Sequence, residues 1–352
     1  MNKTKKQKTY TQYIRFKLLF IFGVGLLAIA VALFDISYGA SGMSIWDVIK
    51  TIFGQGTEKM NSIVWSMRLP RVVTALVAGL GLSIVGCVLQ SVLRNPLADA
   101  STLGVSQDAA FGASFSVVIL GSASMASGAT VTVSNPYTIS ICAFIGSIIP
   151  TAVVIGLSRI KKVKRESMIL TGVALSTLFA GGTAIVQYFA DSAQLGTIVY
   201  WIFGSLSSTT WREVLVMTIV VACVSVFFCI NRWNYNALLG GETTAKGLGV
   251  NTERLIVISM ILCSLTASVI TSFIGILNFI GLIAPHLMRR VIGNDYRFLL
   301  PASACAGSAL LLLSDVFSRV VLPPQVLPIG AITSFVGAPI FIYLIYTGGK
   351  RK

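Results

Sequence analysis

Long apolar stretches separated by short polar connectors dominate the chain. A helix that crosses a bilayer needs about 20 mainly apolar residues. Runs of that kind fall at roughly 18–34, 69–91, 103–122, 138–158, 168–190, 212–230, 255–274, 277–293, 299–318 and 328–346. Every backbone group in lipid must be satisfied within the chain, which leaves helices or a closed barrel. The runs lack period-two alternation, so the pattern predicts an all-α integral membrane protein of about ten transmembrane helices. No connector is long enough for a separate soluble domain. Residues 1–352 therefore read as one transmembrane domain: a basic N-terminus (1–17), a helical bundle (18–346) and a short tail (347–352).

Composition agrees. Hydrophobic residues make up 55% and charged residues 11%, against about 25% charged in soluble domains. Lys and Arg total 27 against 12 Asp and Glu, a formal charge of +15. A basic chain often binds nucleic acid, but this one has too few polar residues to build the wet surface required. Topology accounts for the surplus instead. With a cytoplasmic N-terminus, all but six of the 27 cations fall on inner segments, as the positive-inside rule demands. The six are Lys50, Lys59, Arg68, Arg71, Arg212 and Arg319. An even span count puts the C-terminus inside as well, giving a multi-pass membrane protein with both termini cytoplasmic. Lys3, Lys5, Lys6 and Lys8 before an apolar run also resemble a secretory signal with a cleavage site at Ser37–Ala40. The many later spans favour an uncleaved first helix.

Candidate chemistry is sparse. His286 is the one histidine, and H-E-x-x-H, nucleophile-elbow and Asp-rich metal motifs are absent. Gly348-Gly349-Lys350 lacks the earlier glycine and the hydroxyl of a phosphate loop, so the chain cannot hydrolyse ATP by that route. Few carboxylates lie deep in spans, which weakens an ion-coupled carrier. The six cysteines form no C-x-x-C pair and read as small buried hydrophobes, not as disulfides or metal ligands. Ala75, Gly79, Ser83 and Cys87 recur every four residues on one face of the second span. Such a stripe serves close helix packing or lines a path.

Three segments carry more information. The first is Arg68-Leu-Pro-Arg71, followed after a span by Gln90-x-x-x-Arg94-Asn95-Pro96-Leu97-Ala98-Asp99 and Leu103-Gly104-Val105-Ser106. The second is Leu239-Gly240-Gly241-Glu242-x-x-Ala245-x-Gly247-Leu248-Gly249-Val250. The third holds Gly281-Leu-x-x-Pro285-His286, Asp315-x-x-x-Arg319, and Leu327-Pro-x-Gly330-x-x-Thr333-x-x-x-Gly337-Ala-Pro339. In order and spacing they resemble the FecCD-type permeases, the membrane subunits of bacterial ABC importers for iron-siderophores, haem and cobalamin, from about residue 60 to 346.

The resemblance implies a type II ABC importer permease: a non-catalytic subunit that pairs with a second permease copy, homo- or heterodimeric. Two separate ATPase subunits, which use the ATP, bind inside, and an extracytoplasmic substrate-binding protein docks outside. It implies no covalently bound cofactor, no resident metal and no nucleic acid. It places an inner gate at Asn95, Pro96 and Leu97, where the proline also fits a plain tight turn. It places ATPase coupling at Leu239, Gly240, Gly241, Glu242, Ala245, Gly247, Leu248 and Gly249, a stretch that composition alone reads as a solvated connector. It assigns Arg68, Arg71 and Arg319 to docking through carboxylates of the binding protein, where the planar guanidinium fork suits the task. Interfacial snorkelling is the plainer account of these arginines.

Asp315, four residues before Arg319, is expected to orient it. His286, Gln90 and Asn278 read as helix-packing groups. Ser44-x-x-Asp47 reads as a capping box opening a short amphipathic helix in the outer interface. A secondary carrier driven by an ion gradient and a membrane-embedded enzyme remain the competing classes.

Overall fold

The structure, a computed structural model, describes residues 10–38, 43–126, 130–133, 135–161 and 165–348. Lys3, Lys5, Lys6, Lys8, the end of the Ser37–Ala40 motif, part of the basic 159–165 connector, and Gly349 and Lys350 lie outside the described residues.

The chain folds into helices α1 (Tyr10–Ser37), α2 (Ile45–Ile52), α3 (Glu58–Ile63), α4 (Leu69–Val92) and α5 (Val105–Val118). They are followed by α6 (Pro136–Lys161), α7 (Arg165–Tyr188), α8 (Ser192–Phe203), α9 (Trp211–Ile230) and α10 (Arg232–Leu239). The last five are α11 (Glu242–Gly247), α12 (Thr252–Ile274), α13 (Ile280–Ile292), α14 (Tyr296–Val320) and α15 (Ile329–Gly348). A π-helical turn, Val64–Arg68, fuses α3 to α4 as one rod. The only strands among the described residues form an antiparallel hairpin, β1 (Ala123–Ala126) with β2 (Thr130–Val133). It lies in the connector between α5 and α6.

Each apolar run contains a helix, but the helices differ in length. Among the described residues, α1, the α3–α4 rod, α6, α7, α9, α12 and α14 are long and apolar enough to cross a membrane, and α15 is a shorter apolar helix. The runs at 103–122 and 277–293 yield only 14 and 13 helical residues. At 1.5 Å per residue these reach about 21 and 20 Å, short of a hydrocarbon core of about 30 Å. Gly104, at φ 97°, delays the start of α5, and Phe279, at φ 67°, delays the start of α13. The 12-residue α8 was not among the expected runs.

α4 is the axis of the bundle, packed by α14, α12, α13 and α9 and buried along most of its length. Its small-residue stripe explains this. A Cβ on Gly79 would fall 2.4 Å from the Gly307 carbonyl oxygen, and one on Gly86 would fall 1.9 Å from that of Gly281. Close backbone approach is how helices associate in lipid, where apolar burial gives no drive. The Ala75–Cys87 stripe therefore serves packing: Ala75, Ser83 and Cys87 are fully buried. The Ser308 hydroxyl donates to the Leu76 carbonyl at 2.8 Å, and the Thr74 and Thr209 hydroxyls share a bond at 2.8 Å.

Two ends of the bundle are distinct. At the proximal end lie the start of α1, the 93–104 connector, and α10 and α11. At the distal end lie α2, the hairpin and the 321–328 turn. The Ser44–Asp47 capping box is formed at the start of α2, whose Trp46 is exposed while Val48 is buried.

Candidate gate, coupling and docking sites

At the distal end, α1, the α3–α4 rod and α14 bring five charged side chains together. Arg71 donates from Nε and Nη2 to both oxygens of Asp315, at 2.7–3.1 Å. Its Nη1 reaches the Ser207 hydroxyl at 2.7 Å. Arg319 approaches the same Asp315 carboxylate at 3.2 Å, so the expected i,i+4 pairing is present. Arg319 also pairs with Asp35 of α1 and donates to the Tyr38 carbonyl at 3.0 Å. Arg68 donates to the carbonyls of Ile36 and Ser37 at the end of α1. Snorkelling does not describe this set, because the guanidinium groups turn inward onto acids and carbonyls. Asp35 went unnoticed in the sequence, where it is one acid at the end of the first apolar run. A cavity of about 410 Å³ opens beside the cluster, lined by Asp35, Arg68, Arg71 and Arg319 among others.

A larger cavity of about 620 Å³ shares Arg71 and Ser207 with the first and is lined by Asp315 as well. Its floor is the meeting point of three chain breaks: the C-terminus of α8, the α12–α13 break and the start of α15. Gly275, at φ 78°, leaves room for the Trp201 carbonyl, which a Cβ would meet at 2.3 Å. Gly330 lies against the carbonyls of Ile276 and Phe203, at 2.5 and 2.7 Å from where its Cβ would stand. Irregular backbone in a membrane-spanning bundle is tolerated where it is buried in protein or lines a cavity, and here it lines the cavity of about 620 Å³.

The 95–99 turn at the proximal end is a tight one. Asn95 Oδ1 accepts from the Leu97 amide at 2.9 Å, and the Ala98 amide returns to the Asn95 carbonyl at 3.1 Å. Pro96 and Leu97 form its exposed tip. Asp99 then caps the turn 100–103, accepting from the Ala100 amide at 2.6 Å. Burial pushes the Asp99 carboxyl up to about 6, against the lowering effect of that amide.

The 231–254 loop forms α10 and α11, broken at Gly240 and at Gly241, whose φ is 106°. Tyr235 anchors it: fully buried, its hydroxyl bonds Ser259 at 2.7 Å and its ring lies 5.6 Å from that of Tyr296. Asn236 donates to Asp295 at 2.9 Å and accepts from the Tyr296 amide at 2.8 Å. Partial burial opposes charge on Asp295, but hydrogen bonds from Arg297 and Asn236 outweigh it and hold the carboxyl near 2. Of the expected coupling residues, Ala245 is fully buried, while Leu239 is 46% and Leu248 69% exposed. Gly247 and Gly249 are exposed beside Leu248.

His286 is half-buried with its ring edge-on to Phe341, and no metal-holding group of His, Cys, Asp or Glu occurs among the described residues. Asn278 bonds Ser334 at 3.1 Å. Gln90 accepts from Arg289 at 2.6 Å. The cysteines are free, but Cys223 and Cys229 are exposed on α9 rather than buried.

The model of the FecCD transport family matches residues 26–347. A protein of Methanocaldococcus jannaschii assigned as an ABC transporter permease is 43% identical, with 100% of both chains covered. A vitamin B12 import system permease protein of Vibrio vulnificus is 32% identical over 86% of this chain and 88% of its own. Among solved structures, a chain assigned to a metal-chelate type ABC transporter, in an inward-facing conformation, superposes with a TM-score of 0.80. It is 28% identical and covers 93% of this chain and 98% of its own.

Proposed function

The chain belongs to the FecCD transport family, and from that premise we propose that it carries an iron-siderophore, haem or corrinoid across the membrane as the permease subunit of an ABC importer. It is a multi-pass membrane protein and a transport subunit, not a catalyst. The hydrolysis of ATP belongs to a separate ATPase.

The exposed apolar tip of the α10–α11 loop carries this reading. Leu239 and Leu248 project from a polar loop anchored by buried Tyr235. Exposed leucines on a rigid mount suit a groove on a partner, and the ATPase is the partner proposed. The proximal end is then cytoplasmic, in keeping with Arg15, Lys17, Arg94, Arg232, Lys246, Arg254, Arg289 and Arg290 in its segments. The tip at Pro96 and Leu97, with Asn95 as the turn-former, is the inner gate, a small ring able to close by dewetting.

The distal end is the docking face for a substrate-binding protein. Arg68, Arg71 and Arg319 already hold internal acceptors, so an incoming carboxylate competes with Asp35 and Asp315 for them. The cavity of about 620 Å³ behind Arg71 is the entrance. A second permease copy supplies the opposite wall. Most of α7 is exposed within the chain, and among its exposed Leu170, Val173, Leu178 and Ile185 lie the small residues Ala174, Thr177, Gly181 and Ala184. Such small residues let a second helix approach closely.

Reconstitution in proteoliposomes with the ATPase and binding protein tests the whole. ATP-dependent uptake of a ferric siderophore, haem or cobalamin is expected. Uptake driven by an ion gradient without ATP overturns the reading in favour of a secondary carrier.

A further inference from the structure

Between the α10–α11 loop and the 95–99 turn lies α13, a rod of 13 residues with a chain break at each end. Gly293 follows its C-terminus at φ 82°, and Phe279 precedes it at φ 67°, an uncommon conformation for a bulky residue. Both ends touch a segment of interest. Just beyond Gly293, Asp295 and Tyr296 hold the two hydrogen bonds to Asn236 of α10. At the other end Gly281 lies under the Asp99 carboxylate, where a Cβ would fall 2.4 Å from Oδ1.

Between these ends, α13 is pinned to α4. Arg289 donates to Gln90 Oε1 at 2.6 Å, to the Cys87 carbonyl at 3.3 Å and to the Tyr296 hydroxyl at 3.3 Å. The Tyr296 hydroxyl itself donates to the Cys87 carbonyl at 3.0 Å. These acceptors are all neutral. Holding a guanidinium among neutral acceptors in a bundle is costly, and fixing a geometry is one use that can justify it. At Gly86 and Gly281 the two helices meet backbone on backbone, and the Gln90 side-chain amide donates to the Gly281 carbonyl at 3.5 Å.

We infer that α13 is the connecting rod between the ATPase-coupling loop and the gate turn, and that Tyr296 and Arg289 are the positioning residues that fix it against α4. The inference rests on the coupling and gate roles proposed above. Displacement of α10 moves Asn236 and, with it, Asp295 and Tyr296. The rod follows at Gly293 and presses Gly281 against Asp99, which ends the turn bearing Leu97.

The test uses the full permease assembled with its ATPase, with Leu97→Cys as the reporter. Labelling by a membrane-impermeant maleimide is compared without nucleotide and with ATP plus vanadate, and the parent without Leu97→Cys reports any labelling of native thiols. Tyr296→Phe keeps the ring against Tyr235 and removes the hydroxyl; Asn236→Ala cuts the link at the α10 end. Both variants are expected to bind the ATPase, to hydrolyse ATP and to melt with the parent, while the nucleotide-dependent change in labelling is lost. An unchanged response in both variants overturns the connecting rod. A parent that shows no response overturns the gate and coupling roles beneath it, so the two failures are told apart. Should Tyr296→Phe melt early, Asn236→Ala alone decides the outcome.

Discussion

Arg71 of α4 and Asp315 of α14, 244 residues apart in the chain, close on one another through two guanidinium nitrogens and both carboxylate oxygens. Arg319 takes the same carboxylate from its own helix. One acid thus serves two cations, and Asp315 is only 1% exposed.

Asp315→Asn leaves both arginines without their shared counter-charge. Removing one partner of a buried pair costs about 3–5 kcal/mol. Thermal unfolding of the detergent-solubilised permease is expected to shift down clearly, and an unshifted transition refutes a structural role for the pair.

Charge reversal at Arg319 acts on docking. Arg319→Glu sets three carboxylates around one site and repels an acidic partner, so capture of the binding protein on immobilised permease is expected to fall. Complex formation at the parent's level sinks the docking assignment.

Close packing along α4 gives a contrast between two glycines. Gly86→Ala drives a Cβ to 1.9 Å from a backbone oxygen, whereas Gly181 on α7 has nothing within 4 Å. Overpacking costs about 1–3 kcal/mol and at times more. The first substitution is expected to lower the melting temperature and the second to leave it unchanged in the isolated chain.

Asp99 makes stability depend on pH. Its folded carboxyl, pushed up to about 6 from an ordinary 3.8, binds its proton more tightly than the unfolded chain does. Stability is therefore fullest below about 4 and declines as pH rises to about 6, by about 3 kcal/mol at most. Asp99→Asn is expected to flatten melting curves taken across that window, and a slope equal to the parent's refutes the assignment.

The coupling loop separates contact from scaffold. Leu248→Asp, on an exposed side chain, is expected to abolish ATPase binding without a change in melting temperature. A bulky substitution at buried Ala245 is expected to lower both, and so does not test the contact. Normal ATPase binding by Leu248→Asp overturns the coupling surface.

The helices were legible because twenty apolar residues leave a chain in lipid little choice. Their lengths were less so: the run at 277–293 reads as a span, yet Phe279 breaks it and leaves 13 helical residues. Apolar composition does not distinguish a helix from buried extended backbone, and the 12 residues of α8 fall below any length threshold. The segments proposed as gate and coupling surface stand out through motif spacing, which is local. The i,i+4 pairing of Asp315 with Arg319 is legible because it is local, whereas Asp35 and Arg319 meet only once α1 and α14 pack. Contacts across hundreds of residues leave no local trace.

The junction of Gly204, Gly275 and Gly330 bears on how this sequence can change over time. Cβ atoms there would meet backbone at 3.1, 2.3 and 2.5 Å. Any single-base change that replaces a glycine adds a Cβ, and backbone cannot repack as a flexible side chain does. The cavity above this floor is also lined by residues such as Tyr137, Tyr200 and Leu327, whose side chains can be exchanged one substitution at a time. Drift toward a new cargo is free to act on the walls, while the floor stays fixed.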